Sequence, residues 1–81
     1  MAKVKLHVEY CVKWNYAPKY NALAAEINDS EVGDDVECVG EGGRSSSFEV
    51  QVNGELVFSK LEKGHFPRAQ DIINILKSKI N

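Results

Sequence analysis

This chain has few of the residues that mark specialised classes of small protein. Its 81 residues include only two cysteines, too few for the disulfide framework of a small secreted domain. Ten basic and twelve acidic residues are interspersed, and no basic stripe points to nucleic acid. No run approaches the ~20 apolar residues of a membrane span. We therefore expect a cytoplasmic protein with reduced thiols, no nucleic-acid partner and no membrane span.

The sequence does have the composition of a single globular domain. Apolar residues make up 43% of the chain, which is enough to build a core. A chain this short buries roughly 60% of its unfolded surface, so its margin of stability is narrow. No linker and no internal repeat interrupts it. We predict one domain over residues 1–81.

The first half of the chain predicts a strand, a helix and a second strand. Apolar and charged residues alternate over residues 4–10, which is typical of a strand with one buried face. Residues 18–28 have apolar side chains at helical spacing, and Pro18 suits a first turn. Residues 36–39 form a short second strand. The glycine- and serine-rich residues 40–47 predict a flexible loop.

The second half predicts a hairpin. An Asn-Gly pair at residues 53–54 separates two apolar runs, and this pair favours a two-residue turn because both residues accept positive φ. Such a turn pairs Val50 with Val57 on the core face. It leaves Leu56 and Phe58 on the opposite face, where solvent-exposed apolar side chains often mark a contact surface.

A turn at residues 64–67 then leads to a last helix with Pro67 in its first turn and an apolar stripe that includes Ile72 and Leu76. In the order β-α-β-β-β-α, the crossover makes the first two strands parallel, and the hairpin adds antiparallel strands. The fold class is therefore α/β. We predict a two-layer, thioredoxin-like sandwich with a mixed four-stranded sheet and both helices on one face.

Cys11 lies where chemistry is expected in such a fold. It ends the first strand just before the first helix, and reactive groups of open α/β sheets gather at the carboxyl ends of strands. A thiolate is the nucleophilic form of cysteine, and its pKa falls near helix N-termini and near cations such as Lys13. We expect Cys11 to be an ionised nucleophile that water can reach. The alternative is an idle, buried cysteine.

Cys38 is the second sulfur and is predicted near the C-terminal end of the second strand. If the first two strands are parallel neighbours, Cys38 lies at the same sheet edge as Cys11 and can serve as its resolving thiol. The alternative is a small core residue that shares the inward face of Val36. His7 and His65 have no zinc-ligand spacing with the cysteines, so we expect no metal.

Segments along nearly the whole chain resemble the selenoprotein W-like (Rdx) family. The resemblance implies a thioredoxin-like fold and thiol redox activity, with glutathione or protein thiols as partners and no cofactor. The matching segments are Val8-Glu9-Tyr10-Cys11, Tyr16-x-x-Lys19-Tyr20-x-x-Leu23-Ala24, Ser47-Phe48-Glu49-Val50, the run from Asn53 to Glu62, and Gly64-x-Phe66-Pro67.

The chain departs from the family at its redox motif. The family carries Cys-x-x-Cys or Cys-x-x-selenocysteine at this strand end; by resemblance, Cys11 is the first position and Trp14 occupies the second. A dithiol cycle within the motif is therefore impossible. Trp14 is either natural or a replacement for selenocysteine. We expect the motif and the serine-rich loop facing it to form the binding site, with Val12, Lys13, Trp14, Ser46 and Ser47.

The sequence leaves three functions open. The first is a thiol oxidoreductase with a degenerate Cys-x-x-Trp motif, in which Cys11 forms mixed disulfides with glutathione or a protein thiol. The second is a non-enzymatic protein-interaction module anchored by Trp14. The third is a small carrier that holds selenium at the thiol. The position of Cys11 favours the first function, whereas the missing second sulfur favours the other two.

Overall fold

The computed structural model describes residues 3–80, so residues 1, 2 and 81 of the predicted domain lie outside the described residues. The strands are β1 Val4–Cys11, β2 Val36–Gly43, β3 Phe48–Val52 and β4 Glu55–Ser59. The helices are α1 Ala17–Asp29, α2 Lys60–Lys63 and α3 Ala69–Ile80. A single 3₁₀ turn, Gly33–Asp35, precedes β2.

The four strands form one mixed sheet in the order β2-β1-β3-β4. β1 and β2 are parallel, with partners from Val4↔Val36 to Cys11↔Gly43, as a crossover through a helix allows. β3 is antiparallel to both β1 and β4. This topology confirms the predicted four-stranded α/β sheet.

The core lies between one face of the sheet and helices α1 and α3. Leu6, Val8 and Val50 are fully buried on the sheet side, while Ile27 and Ile72 close the core from the two helices. Between residues 5 and 9, the intervening residues of β1 are exposed or only partly buried. The predicted one-sided covering follows from this alternation, since successive side chains of a strand point to opposite faces.

Helices α1 and α3 match their predicted segments to within two residues. Pro18 lies in the first turn of α1, as predicted. α3 begins at Ala69, so Pro67 lies before the helix and the prediction that it lies in the first turn is wrong. The buried side chains of α3 belong to the predicted stripe: Ile72, Ile73 and Leu76. No helix within residues 3–80 is long and apolar enough to cross a membrane.

Strand β2 is longer than predicted. It continues beyond residues 36–39 to Gly43, so half of the predicted flexible loop belongs to the sheet. The reason is pairing: every residue of β2 has a partner in β1, up to Cys11 opposite Gly43. These ladder contacts outweigh the poor intrinsic preference of glycine for strands. The true loop is residues 44–47.

The hairpin turn forms as predicted. Asn53 and Gly54 have φ angles of 52° and 86°, the positive values that a type I′ turn requires. Val52 and Glu55 pair across this turn. The predicted two-residue connection is therefore correct.

The predicted register beyond the turn is wrong, because a β-bulge shifts it. Val50 faces Phe58 rather than Val57, since the bulged strand carries one residue more than its partner. Phe58 consequently packs against the core instead of facing solvent. Leu56 stays exposed, as predicted.

A short helix, α2, follows β4 directly and buries Glu49. Glu49 Oε2 accepts hydrogen bonds from the backbone N–H of Lys60 at 2.8 Å and of Leu61 at 3.4 Å. Its Oε1 accepts from the hydroxyl of Ser59. The carboxylate thus satisfies N–H groups that have no partner inside the helix.

Replacing Ile72 with alanine tests the packing of α3 on the sheet. Ile72 is fully buried, so we expect its truncation to lower the free energy of unfolding by about 2–5 kcal/mol. Leu56→Ala is the matched control at an exposed position and should change it by about 0.5 kcal/mol or less. Urea unfolding measures both. Equal losses in the two variants would contradict this core.

Candidate functional site

Cys11 lies at the carboxyl end of β1, where two loops meet. The thiol loop, residues 12–16, leads into α1, and the N–H of Tyr16 donates to the Cys11 carbonyl at 2.9 Å. The serine loop, residues 44–47, connects β2 to β3, and the N–H of Cys11 donates to the Ser47 carbonyl at 2.9 Å. These two bonds fix the Cys11 backbone between the loops.

Hydrogen-bond donors from both loops surround the Cys11 thiol. The N–H of Trp14 donates to Cys11 Sγ at 3.2 Å. Removal from water acts to raise the pKa of the thiol, but the N–H groups of Trp14, Ser46 and Lys13 and the hydroxyl of Ser45 lower it below the ordinary 9.0. The site therefore favours a thiolate, through backbone N–H groups rather than through the Lys13 ammonium.

The Cys11 side chain is buried, although neighbouring side chains of the thiol loop are exposed. Cys11 is 0% exposed, whereas Val12 is 65% and Trp14 57% exposed. The expectation that water reaches this sulfur is wrong for this conformation, because the two loops close over the end of β1. A disulfide can reach Cys11 only after one loop moves.

The serine loop is held by an ion pair that sequence analysis missed. Glu9 Oε2 accepts from the backbone N–H of Arg44 at 2.7 Å and from its Nε at 2.9 Å, and Glu9 Oε1 accepts from Nη2 at 3.1 Å. The hydrogen-bonded Arg44 guanidinium lowers the pKa of Glu9 from 4.5 to about 2. The carboxylate thus stays charged and keeps the start of the serine loop in place.

Gly43 makes this ion pair possible. A Cβ atom at residue 43 would lie 2.1 Å from Cγ of Glu9, so the Glu9 side chain occupies the space that any other residue would fill. The sequence gives part of the signal for this ion pair, because it places Glu9 on the charged face of β1. Only the register of β2, however, places Gly43 and Arg44 beside it.

An aromatic and cationic cluster supports the other side of the serine loop. The Phe66 ring meets Tyr16 and Phe48 edge-on, at centroid distances of 4.9 Å and 5.3 Å. Lys60 Nζ lies 5.2 Å from the Tyr16 ring and donates to the Ser46 carbonyl at 3.4 Å. Through Lys60, helix α2 is connected to the loop that covers the thiol.

The two predicted serines differ in their availability to a ligand. Ser46 presents its N–H to the thiol and adopts a left-handed φ of 63°. Ser47 is fully buried, and its hydroxyl donates to the Arg44 carbonyl at 2.6 Å. Ser47 therefore stabilises the serine loop. In this conformation its hydroxyl is not available for the predicted binding role.

Cys38 lies far from Cys11, so the predicted shared edge is wrong. Because β2 continues to Gly43, Cys38 pairs with Leu6, five residues before Cys11. Five residues of strand span about 16 Å, well beyond the roughly 7 Å between Cα atoms that a disulfide tolerates. Cys38 packs against the core, and burial raises the pKa of its thiol. It cannot resolve a bond at Cys11 without rearrangement of the sheet.

Among residues 3–80, no three His, Cys, Asp or Glu side chains lie together in a way that would hold a metal ion. The site that the structure assembles is therefore the Cys11 thiol, its surrounding donors and the two loops that carry them.

The two thiols should titrate in opposite directions from the ordinary cysteine value of 9.0. In a Cys38→Ser variant, thiolate absorbance should appear with a midpoint below 9.0, because donors stabilise the Cys11 anion. In a Cys11→Ser variant, the midpoint should lie above 9.0, because burial disfavours the Cys38 anion. Ultraviolet pH titration measures both. A Cys11 midpoint at or above that of Cys38 would refute the donor arrangement.

Comparison with protein families gives a match over nearly the whole chain: residues 5–78 match the Rdx family model. Migration and invasion enhancer 1 from Bos taurus is 36% identical over 78 residues, which is 96% of this chain. The chain spans 66% of the length of that relative. Selenoprotein W from Danio rerio is 44% identical over 59 residues, which covers 70% of this chain and 67% of the relative.

Solved structures share the fold. A selenoprotein W-related protein from Vibrio cholerae superposes with a TM-score of 0.83 at 21% identity, covering 98% of this chain and 99% of that one. A protein from Bordetella parapertussis superposes with a TM-score of 0.86 at 20% identity, covering 95% and 98%. At these identities the structures show the fold alone, and they confirm the predicted sandwich. The family match over residues 5–78 and the 36% identity to the Bos taurus relative establish that the chain belongs to the Rdx family.

Proposed function

We propose that this protein is a monothiol redox protein in which Cys11 forms mixed disulfides with glutathione or with a protein thiol. The observation that carries the proposal is the hydrogen bond that the N–H of Trp14 donates to Cys11 Sγ at 3.2 Å. Such donors stabilise the thiolate, which is the attacking form of cysteine. Membership of the Rdx family supports a redox-related role.

The proposed reaction is thiol–disulfide exchange. The Cys11 thiolate attacks one sulfur of oxidised glutathione, a new bond forms to Cys11 Sγ, and the glutathione disulfide breaks. Cys11 is oxidised, the departing sulfur is reduced, and glutathione leaves as a thiolate. If the disulfide joins glutathione to a protein, the protein thiolate leaves instead.

An external thiol completes the cycle, because Cys38 lies too far away. When the substrate disulfide joins glutathione to a protein, a reduced glutathione thiolate then attacks the mixed disulfide on Cys11, forms oxidised glutathione and releases the Cys11 thiolate, so the net result is removal of glutathione from the protein. The donors around Sγ assist this step as well, since a thiol of lower pKa is a better leaving group. A compartment rich in reduced glutathione suits the cycle, which is why we propose a cytoplasmic location.

Incubation with oxidised glutathione, followed by intact-mass measurement, tests the proposal. We expect one glutathione adduct that persists in Cys38→Ser and disappears in Cys11→Ser. The urea-unfolded protein serves as a reactivity control, because both thiols are then accessible. An adduct on Cys38 alone, or no adduct on the folded protein when the unfolded protein reacts, would refute the proposed role of Cys11.

Restoring sulfur at residue 14 tests why the cycle needs an external thiol. The backbone of Trp14 touches Cys11 Sγ, so a thiol at this position is close enough to attack a mixed disulfide on Cys11. We expect Trp14→Cys to release bound glutathione and to form an internal disulfide with Cys11. Trp14→Ser is the control, because it removes the indole without adding sulfur and should retain the adduct. Intact mass and peptide mapping distinguish the two outcomes.

A protein-interaction module is the second candidate function. Val12 and Trp14 are exposed apolar side chains beside the thiol, and exposed tryptophan is favoured at binding hot spots. Such a module would lose partner binding in Trp14→Ala and keep it in Cys11→Ser, whereas the redox protein would show the reverse for its glutathione adduct. Selenium that survives desalting and is lost in Cys11→Ser would instead identify a carrier.

A further inference from the structure

Building on the proposed function, we propose that Glu9 and Arg44 form a clasp that holds the serine loop over Cys11, and that opening of this clasp admits the disulfide substrate. In this role the two residues are positioning residues: neither touches the sulfur. They act through the serine loop, which carries two of the donor groups around the thiol.

The need for an opening follows from burial and from the geometry of exchange. Cys11 is 0% exposed. An attacking sulfur must approach the disulfide closely, and access is one of the factors that set the rate of exchange. The closed conformation therefore protects the thiolate but does not let it react with a bulky disulfide.

The Arg44 end of the serine loop is the part that this opening releases. The thiol loop is tied at both ends, by the N–H of Tyr16 to the Cys11 carbonyl at 2.9 Å and the N–H of Asn15 to the Val12 carbonyl at 3.0 Å. It also runs directly into α1. The serine loop is fixed at its Ser47 end, where the Ser47 carbonyl accepts from the N–H of Cys11 at 2.9 Å, so the part that can swing away is the Arg44 end.

Glu9 is the attachment at the Arg44 end of the serine loop. It makes three hydrogen bonds to Arg44, one to the backbone and two to the guanidinium. The Arg44 side chain is 66% exposed, so water can replace Glu9 as its partner. The Glu9 side chain is only 23% exposed and the pair is bidentate, a geometry in which an ion pair contributes more than an ordinary surface pair, so the clasp keeps the loop closed until its bonds to Glu9 are released.

The charged groups around the two loops come from several elements. Glu9 belongs to β1, Arg44 to the serine loop and Lys13 to the thiol loop, while Lys60 reaches from α2 to the Ser46 carbonyl. Opening the clasp would draw the N–H of Ser46 and the hydroxyl of Ser45 away from the sulfur and let water in. The thiol would then move toward its ordinary pKa of 9.0.

Two substitutions open the clasp by different means. Glu9→Gln removes the charge, whereas Gly43→Ala leaves both charges and places a methyl group where the Glu9 side chain runs, 2.1 Å from its Cγ. Glu55→Gln is the matched control, because Glu55 forms an ion pair with Lys79 at 2.9 Å beside the hairpin turn, away from Cys11.

The experiment measures the reaction of Cys11 with a bulky aromatic disulfide as a function of pH, in a Cys38→Ser background. In the fully ionised range we expect the rate to rise about two- to fivefold in Glu9→Gln and in Gly43→Ala, and to stay unchanged in Glu55→Gln. The midpoint of the pH profile should move up toward 9.0 in the two clasp variants only.

Circular dichroism and urea unfolding establish that each variant is folded. Unchanged rates and midpoints in both folded clasp variants would overturn the proposal, as would an equal acceleration in Glu55→Gln. If Cys11 of the parent protein forms the glutathione adduct and the clasp variants behave like the parent, only the clasp fails. If Cys11 forms no adduct in the parent or in the open variants, the proposed function fails with it.

Discussion

The site depends on the parallel pairing of β1 with β2 as far as Cys11↔Gly43. This pairing carries a glycine-rich segment to the carboxyl end of β1 and so delivers the serine loop to the thiol. If β2 ended at residue 39, as the sequence suggests, the loop would begin about 13 Å earlier along the sheet. Neither Arg44 nor Ser46 would then reach the end of β1, and Cys11 would lack half of its donors.

The glycines of β2 weaken the strand, but they also make this arrangement possible. The Val12 side chain lies against Gly42 and the Glu9 side chain against Gly43. A Cβ atom at either glycine would lie within 2.5 Å of that side chain. Glycine weakens a strand, because it adds no side chain to pack. Here the neighbouring strand supplies the missing side chains, and the ladder to β1 keeps the segment in the sheet.

Sequence periodicity predicts the elements well because it depends on neighbours two or four residues apart. The strand faces of β1, the turn at residues 53–54 and the apolar stripe of α3 are all signals of this local kind. Contacts across the sheet leave no such signal. Glu49 has the sequence pattern of an outward strand residue, yet it is buried against the start of α2, eleven residues away. Glu9 and Arg44 are 35 residues apart.

Position 14 illustrates how a motif can lose its side chain and keep part of its role. The contribution of Trp14 to the thiolate is its backbone N–H, at 3.2 Å from Sγ. Every residue except proline supplies that donor. The loss of the second sulfur therefore removes the internal resolving group without removing the stabilisation of the Cys11 anion. Under the proposed function, the chain carries out the first half of a dithiol cycle and takes the second half from another molecule.

Covering a thiol and ionising it are opposing demands, and both are met here by the same two loops. Burial raises the pKa of Cys11 and the donors lower it, and the donors prevail, because the pKa lies below 9.0. When the serine loop opens, both effects weaken together: water enters as the donors of the serine loop leave, while those of the thiol loop remain. The ionisation of Cys11 consequently changes less than either effect alone would suggest. In the proposed mechanism, release of the single ion pair between Glu9 and Arg44 controls access to the thiol.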